Sequence, residues 1–369
     1  MTLSRKPECF LKDRVDFSRI RRVLVVKLRH HGDVLLTSPV FQVLKNHYPH
    51  LELDALVYKD TEEMLSLHPS IDQLHTIDRR WKTLGLSVQL TEELRLLNRL
   101  KRRNYDLLIH LTEHQRGLII KQYCRIPIAV SASYPRRNNA LWHRTFKYQH
   151  PVFPMGKRHR VEQHLDALRR VGIQPTGSER QLVLEVGIDA RKKVDSIMAR
   201  EGVGAGSYVH IHPTSRWLFK TWDYEKVAQV IDGLAAEGKK VVLTSSPDKQ
   251  ELIMIDAILA KVKSEPINLC GKLTLKELAG VIESANVFFG MDSMPMHMAA
   301  ALNTPVVALF GPSDPVEWGP WWVKKIILTS DLFPCRPCGI DGCGGGKRSE
   351  CLSELTVEQV LVALEKVLQ

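Results

Sequence analysis

The chain has 369 residues, of which 44% are hydrophobic and 25% charged. It is long enough for two ordinary cores, too short for three, and unlike a disordered or fibrous protein. Its formal charge is +11, with 52 Lys and Arg against 41 Asp and Glu, a balance that favours an anionic partner such as nucleic acid, acidic lipid or a phosphorylated substrate. No run reaches the roughly 18 consecutive apolar residues of a membrane span. Residues 1–20 carry scattered charges where an export signal has an apolar core. Seven cysteines, an odd number, argue against a general disulfide framework. The expected location is the cytosol.

Residues 22–28 (RVLVVKL) read as a strand, 29–32 as a loop and 34–48 as a helix. Strands follow at 51–58, 73–77, 106–111 and 126–130, with helices at 61–67 and about 91–104 between them. Strands alternating with helices imply a parallel sheet covered on both faces. The pattern breaks over 134–160, a helix returns at 161–171, and the Gly- and Pro-bearing stretch 172–177 reads as the domain linker. The second half repeats the alternation, with strands at 208–212, 240–244, 286–290 and 305–310, and helices at 224–237, 248–262, 274–284 and 294–302. A last helix spans 356–369. Two doubly wound units in tandem bind ligands at the carboxyl ends of their strands. Four basic bunches lie in the first half: Arg19, Arg21 and Arg22; Arg99, Lys101, Arg102 and Arg103; Arg136 and Arg137; Lys157, Arg158 and Arg160. Each alone reads as a solvated helix end or loop; together they turn the first half toward negative surfaces.

Four constellations could carry chemistry. Asp33 closes the segment RHHGD after the first strand, where a carboxylate could accept a proton from an attacking hydroxyl. By pattern alone it reads rather as the N-cap of a helix starting at Val34. After the strand 208–212, Thr214, Ser215 and Arg216 with Lys220 offer hydroxyls, a guanidinium and an ammonium suited to a diphosphate. In the segment GMDSMPMH (290–297), a strand turns directly into a helix with Ser293 near its cap and Pro295 in its first turn, an arrangement suited to an anion. Asp292 would repel that anion unless it bonds elsewhere, and His297 taken alone reads as a core residue. Finally, Cys335, Cys338, Cys343 and Cys351 could hold a structural zinc, form two disulfides or remain free thiols. Zinc held by four thiolates has no open position, so no catalytic metal is expected there. Walker A, HExxH and GxSxG patterns are absent, and Gly204-Ala205-Gly206 precedes a strand instead of following one.

Taken together, residues 29–40 (RHHGDVLLTSPV), 212–222 (HPTSRWLFKTW), 291–302 (MDSMPMHMAAAL) and 310–315 (FGPSDP) resemble the bacterial ADP-heptose:lipopolysaccharide heptosyltransferases, in the same order over nearly the whole chain. The overall likeness is greatest to the heptosyltransferase III group, which adds a branching heptose to the second heptose of the inner core. The resemblance implies an α/β GT-B glycosyltransferase, with two Rossmann-like doubly wound domains facing a cleft. Residues 1–175 would bind the acceptor, 176–355 the nucleotide-sugar, and the helix 356–369 could pack back on the first domain. It implies inverting, metal-independent transfer from ADP-L-glycero-D-manno-heptose with no cofactor.

The same resemblance makes Asp33 the expected general base, against the cap reading, and places Thr214, Ser215, Arg216, Lys220, Asp292, Ser293, Met294 and His297 at the donor. Arg29, His31, Arg116, Arg136 and Arg137 are the candidate acceptor residues, and Asp248 and Glu251 the candidate ribose carboxylates. The expected acceptor is heptosylated Kdo-lipid A, at the anionic inner face of the inner membrane, where the enzyme would sit as a peripheral protein. The alternatives are another GT-B enzyme with a different nucleotide-sugar or core acceptor and, outside enzymes, a basic nucleic-acid-binding protein, for which no reader motif is present.

Overall fold

Short runs of Val, Ile and Leu bounded by turn residues become strands buried on both faces, as a parallel sheet requires. The computed structural model describes residues 13–369; the part of the export-signal reading that falls on residues 1–12 lies outside the described residues. The chain forms two compact units. The first runs to Pro154 and resumes over Arg160–Val183; the second comprises Met155–His159 and Leu184–Gln369.

In the first unit the strands are β1 (Arg22–Val26), β2 (Glu52–Tyr58), β3 (Gln73–Ile77), β4 (Leu107–His110), β5 (Ile128–Ala132) and β6 (Tyr148–His150). Its helices are α1 (His31–Leu35), α2 (Ser38–His47), α3 (Leu86–Arg102), α4 (Arg116–Cys124), α5 (Ala140–Thr145) and α6 (Arg160–Arg170). The strands form one parallel sheet in the order β3-β2-β1-β4-β5-β6, the doubly wound order whose reversal falls beside β1. Leu24 and Val26 of β1 and Leu108 of β4 pack with Leu96 and Leu100 of α3 and Trp142 of α5.

The second unit repeats this plan. Its strands are β7 (Tyr208–His212), β8 (Lys240–Leu243), β9 (Ile267–Asn268), β10 (Val287–Met291), β11 (Val306–Leu309) and β12 (Lys325–Leu328), and its helices α7 (Ile188–Arg200), α8 (Tyr224–Ala236), α9 (Lys249–Leu259), α10 (Leu275–Glu283), α11 (Met294–Ala301), α12 (Pro315–Trp318), α13 (Glu350–Ser353) and α14 (Val357–Leu368). The sheet order is β12-β11-β10-β7-β8-β9, so reversal falls between β7 and β10.

Several expectations change. The stretch 134–160 contains α5 and β6, and the chain passes to the second unit at Val183–Leu184, later than the expected linker at 172–177. The helix expected over 34–48 is two, α1 and α2. Pro39 lies in the first turn of α2, and a proline clashes with the carbonyl four residues before it, here that of Leu35, the last residue of α1. The last helix belongs to the second unit. Val360, Ala363, Leu364 and Val367 of α14 share one helical face and are buried in the second unit's own core with Val209, Phe289 and Leu309. No helix among the described residues is long and apolar enough to cross a membrane.

Candidate active site

The segment after β1 places Asp33 in the first turn of α1, whose N-cap is His30 with no side-chain cap bond. The cap reading of Asp33 is therefore overturned: Asp33 is the third helical residue, and its carboxylate is committed to no helix cap. It is 13% exposed and lies 3.5 Å from the Lys27 ammonium and 4.0 Å from the Arg29 guanidinium. Burial pushes its carboxyl up, but Lys27, Arg29, Arg160 and His30 outweigh burial and hold it below the ordinary carboxylate value. The group is thus an ionised carboxylate at a strand's carboxyl end.

Lys27 has no place among the residues that the sequence singled out. It follows β1 directly, is buried, and donates from Nζ to the Leu111 carbonyl at 3.2 Å and to His164 Nε2 at 3.0 Å. A lysine in an otherwise apolar strand run was the signal available.

The acceptor candidates lie on three segments of the first unit. Arg29 and His31 lie beside Asp33 on the β1 to α1 segment; burial pulls the His31 imidazole down, with Asp60 opposing. Arg116 pairs with Glu93 and lines a cleft of about 110 Å³ with Arg79, Trp81 and Lys82. Arg137 donates to the Glu113 carbonyl at 3.2 Å, and Arg136 beside it is exposed.

In the second unit, two strand ends meet in register. Gly290 of β10 lies opposite His212 of β7, and a Cβ on Gly290 would come within 2.8 Å of the His212 carbonyl and of the Phe288 ring. The glycine lets the β7 loop approach the start of α11. Lys220 donates to Asp292 Oδ2 at 2.5 Å, which answers how a carboxylate is tolerated beside an anion site: its partner is an ammonium.

Ser293 is the N-cap residue of α11, but its side chain makes no cap bond, and its buried Oγ has no partner among the described residues. The four amides of a helix start lack intrahelical partners. Here Pro295 has none to give, so Ser293, Met294 and Met296 supply them. His297 is buried on the same helix. Thr214, fully buried, donates to Glu251 Oε2 at 2.6 Å; Ser215 Oγ accepts from the Trp217 amide at 3.2 Å; Arg216 is exposed, with its guanidinium 5.5 Å from the Trp217 ring centroid. Of the two ribose candidates, Asp248 is committed to capping α9, accepting from the amides of Gln250 and Glu251, whereas Glu251 turns to Thr214.

Residues 93–345 match glycosyltransferase family 9 (heptosyltransferase). Lipopolysaccharide heptosyltransferase 3 of Escherichia coli is 36% identical over 342 residues, 92% of this chain and 97% of the relative. The chain belongs to glycosyltransferase family 9. A family 9 glycosyl transferase from Veillonella parvula superposes with a TM-score of 0.78 at 24% identity, over 94% of this chain and 97% of that one. E. coli heptosyltransferase WaaC, solved with ADP, does so with a TM-score of 0.72 at 19% identity, over 94% and 99%. The two six-stranded parallel sheets are the GT-B arrangement.

Hydrogen bonds tie down the cysteine-bearing loop of this glycosyltransferase. Arg336 donates to the Gly311 and Ser330 carbonyls at 2.8 and 2.9 Å, and the Cys343 amide donates to the Arg348 carbonyl at 2.7 Å. Cys335, Cys338, Cys343 and Cys351 are free thiols, so the two-disulfide reading does not hold. Burial and the other three thiols together push the Cys351 thiol up, against Arg336. No group of three or more His, Cys, Asp or Glu among the described residues is arranged to hold a metal ion.

Proposed function

We propose that this glycosyltransferase moves heptose from ADP-L-glycero-D-manno-heptose to the second heptose of the lipopolysaccharide inner core, with inversion. The observation that carries the reading is Asp33, kept ionised at the end of β1 and not used as a helix cap. Asp33 takes the proton of an acceptor hydroxyl as that oxygen bonds the anomeric carbon. The bond from that carbon to the diphosphate breaks, and ADP leaves with the electron pair. Lys220, Arg216 and the amides of Ser293, Met294 and Met296 offset the departing charge. Asp292, next to Lys220, serves the sugar hydroxyls, and Glu251 is the better placed carboxylate for the ribose, since Asp248 is occupied as a cap. This chemistry calls for no metal, and turnover is expected to be unchanged by EDTA. The heptosyltransferase 3 relative supports the acceptor.

Titration calorimetry with ADP and with UDP tests the donor. ADP should bind the more tightly, whereas a preference for UDP would favour a different nucleotide-sugar. Salt-sensitive duplex binding with no nucleotide affinity would favour the nucleic-acid reading.

The same proposal places the protein on the cytoplasmic face of the inner membrane, where a lipid-anchored acceptor is presented. The start of α3 carries Leu86, 85% exposed, and Leu90, 62% exposed, one turn apart. Arg99, Lys101 and Arg102 are exposed farther along the helix. Arg103, counted with them in the sequence, is instead tied to Asp54 and Glu52 at 2.8 to 3.1 Å. It belongs to the fold and not to the surface. Each exposed cation near an anionic bilayer contributes about 1 kcal/mol. Raising ionic strength to about 0.5 M, where the Debye length falls below roughly 5 Å, is expected to release the protein from anionic vesicles. Replacing Arg99, Lys101 and Arg102 by Gln should weaken binding at low salt in the same way. Co-sedimentation that ignores both changes would show these residues to be a solvated helix face.

A further inference from the structure

We infer that Lys27, held by His164, is the positioning residue that keeps Asp33 a carboxylate in the reaction; the inference rests on the reading of Asp33 as general base. The geometry fixes the roles. The Leu36 carbonyl lies 3.0 Å from His164 Nδ1 and can only accept, so Nδ1 carries the imidazole proton. That leaves Nε2 as an acceptor, and the Lys27 ammonium, which can only donate, meets it at 3.0 Å. A second donor of Lys27 goes to the Leu111 carbonyl, and the third has Asp33 Oδ1 at 3.5 Å. One cation thus spans a neutral imidazole, a backbone carbonyl and the candidate base. The arrangement draws β1, β4, α1 and α6 of the same unit together at one point.

Burial makes both partners sensitive. It pulls Lys27 down from its ordinary 10.5 to about 8, and holds His164 well below its ordinary value, so the imidazole is neutral at working pH. The other charged or titratable groups facing Lys27 are Arg29, Arg160 and His110, all of which oppose its charge or are opposed by it; Asp33 is the anion that supports it. Arg29 and His30, on the same segment as Asp33, and Arg160 also favour the carboxylate, but Lys27 is the strongest of these influences. Without Lys27, the burial that already pushes Asp33 up is opposed only by weaker and more exposed charges. The carboxyl would then begin to hold its proton within the working range, and a protonated acid cannot serve as the base.

The test is the pH profile of kcat/KM for Lys27→Met, which keeps the length and apolar stem of the side chain. For the unaltered enzyme, no acid limb from Asp33 is expected between about pH 5 and 8, since its carboxyl titrates below the ordinary value of about 3.9. For Lys27→Met the acid limb should move up by about one to three pH units, with kcat falling at pH 6 and recovering toward pH 8, while KM for the donor holds. A double variant controls for folding, because Lys27→Met/Asp33→Asn removes both charges at once. It should turn over at the rate of Asp33→Asn alone, since Lys27 acts through Asp33. An unmoved acid limb, or an equal loss from Lys27→Met in both backgrounds, overturns the inference while the general-base reading stands. Full activity of Asp33→Asn overturns both.

Discussion

Asp33→Asn is expected to lower kcat by about a hundredfold or more, the range for losing a general base, while ADP affinity stays nearly unchanged. The amide has almost the shape of the carboxylate but cannot take a proton. Had Asp33 been the N-cap of the helix, the same change would cost at most about 1 kcal/mol of stability and leave the rate alone. The structure removes that alternative, because His30 is the cap residue and the Asp33 side chain makes no cap bond. There is one stability consequence. A carboxyl whose folded value lies below its unfolded value stabilises the fold at pH above about 4, and that contribution is lost as pH falls through the folded value. The variant should therefore lose a small part of the acid sensitivity of the melting temperature. Steady-state kinetics and thermal melts on one preparation check both expectations.

Lys220→Ala is expected to weaken ADP binding by about tenfold or more and to lower turnover with it, because an ammonium serving the diphosphate acts in the ground state and more strongly as charge develops on the leaving group. A second effect runs alongside. Lys220 is also the partner of the buried Asp292, and removing one member of such a pair leaves an uncompensated charge. Lys220→Ala/Asp292→Asn separates the effects: if the loss of ADP affinity persists in the double variant, it belongs to the contact with the diphosphate. Calorimetry with ADP on both variants measures it, and affinity equal to the unaltered protein's would remove Lys220 from the donor site.

The central strands were legible because they are buried on both faces and run to branched apolar residues; β7 falls on the expected residues. Of the edge strands, β3 was read, whereas β6, β9 and β12 were missed. The sequence Tyr148-Gln149-His150 has no apolar run to mark β6, and β9 is two residues long. Such segments are held by the strand beside them, information that lies elsewhere in the chain. Helix α7 was missed for a related reason: of its residues only Val194 and Met198 are buried, too narrow a stripe to stand out among charges. The candidate site divides the same way. Asp33, Lys220 and Asp292 stand next to strand ends that the pattern revealed, whereas the bond between Lys220 and Asp292 joins residues 72 positions apart. Lys27 and His164 are separated by 137 positions, and nothing local marks them as partners.

The decisive quantity is product mass. The purified protein is incubated with ADP-L-glycero-D-manno-heptose and with lipopolysaccharide core acceptors bearing one, two or three heptoses, and the products are weighed. The two-heptose acceptor should gain a single heptose, with an anomeric configuration opposite to the donor's, and Asp33→Asn should slow the gain by about a hundredfold or more. No added heptose on any of these acceptors, with transfer from a different nucleotide-sugar instead, would contradict the proposed reaction.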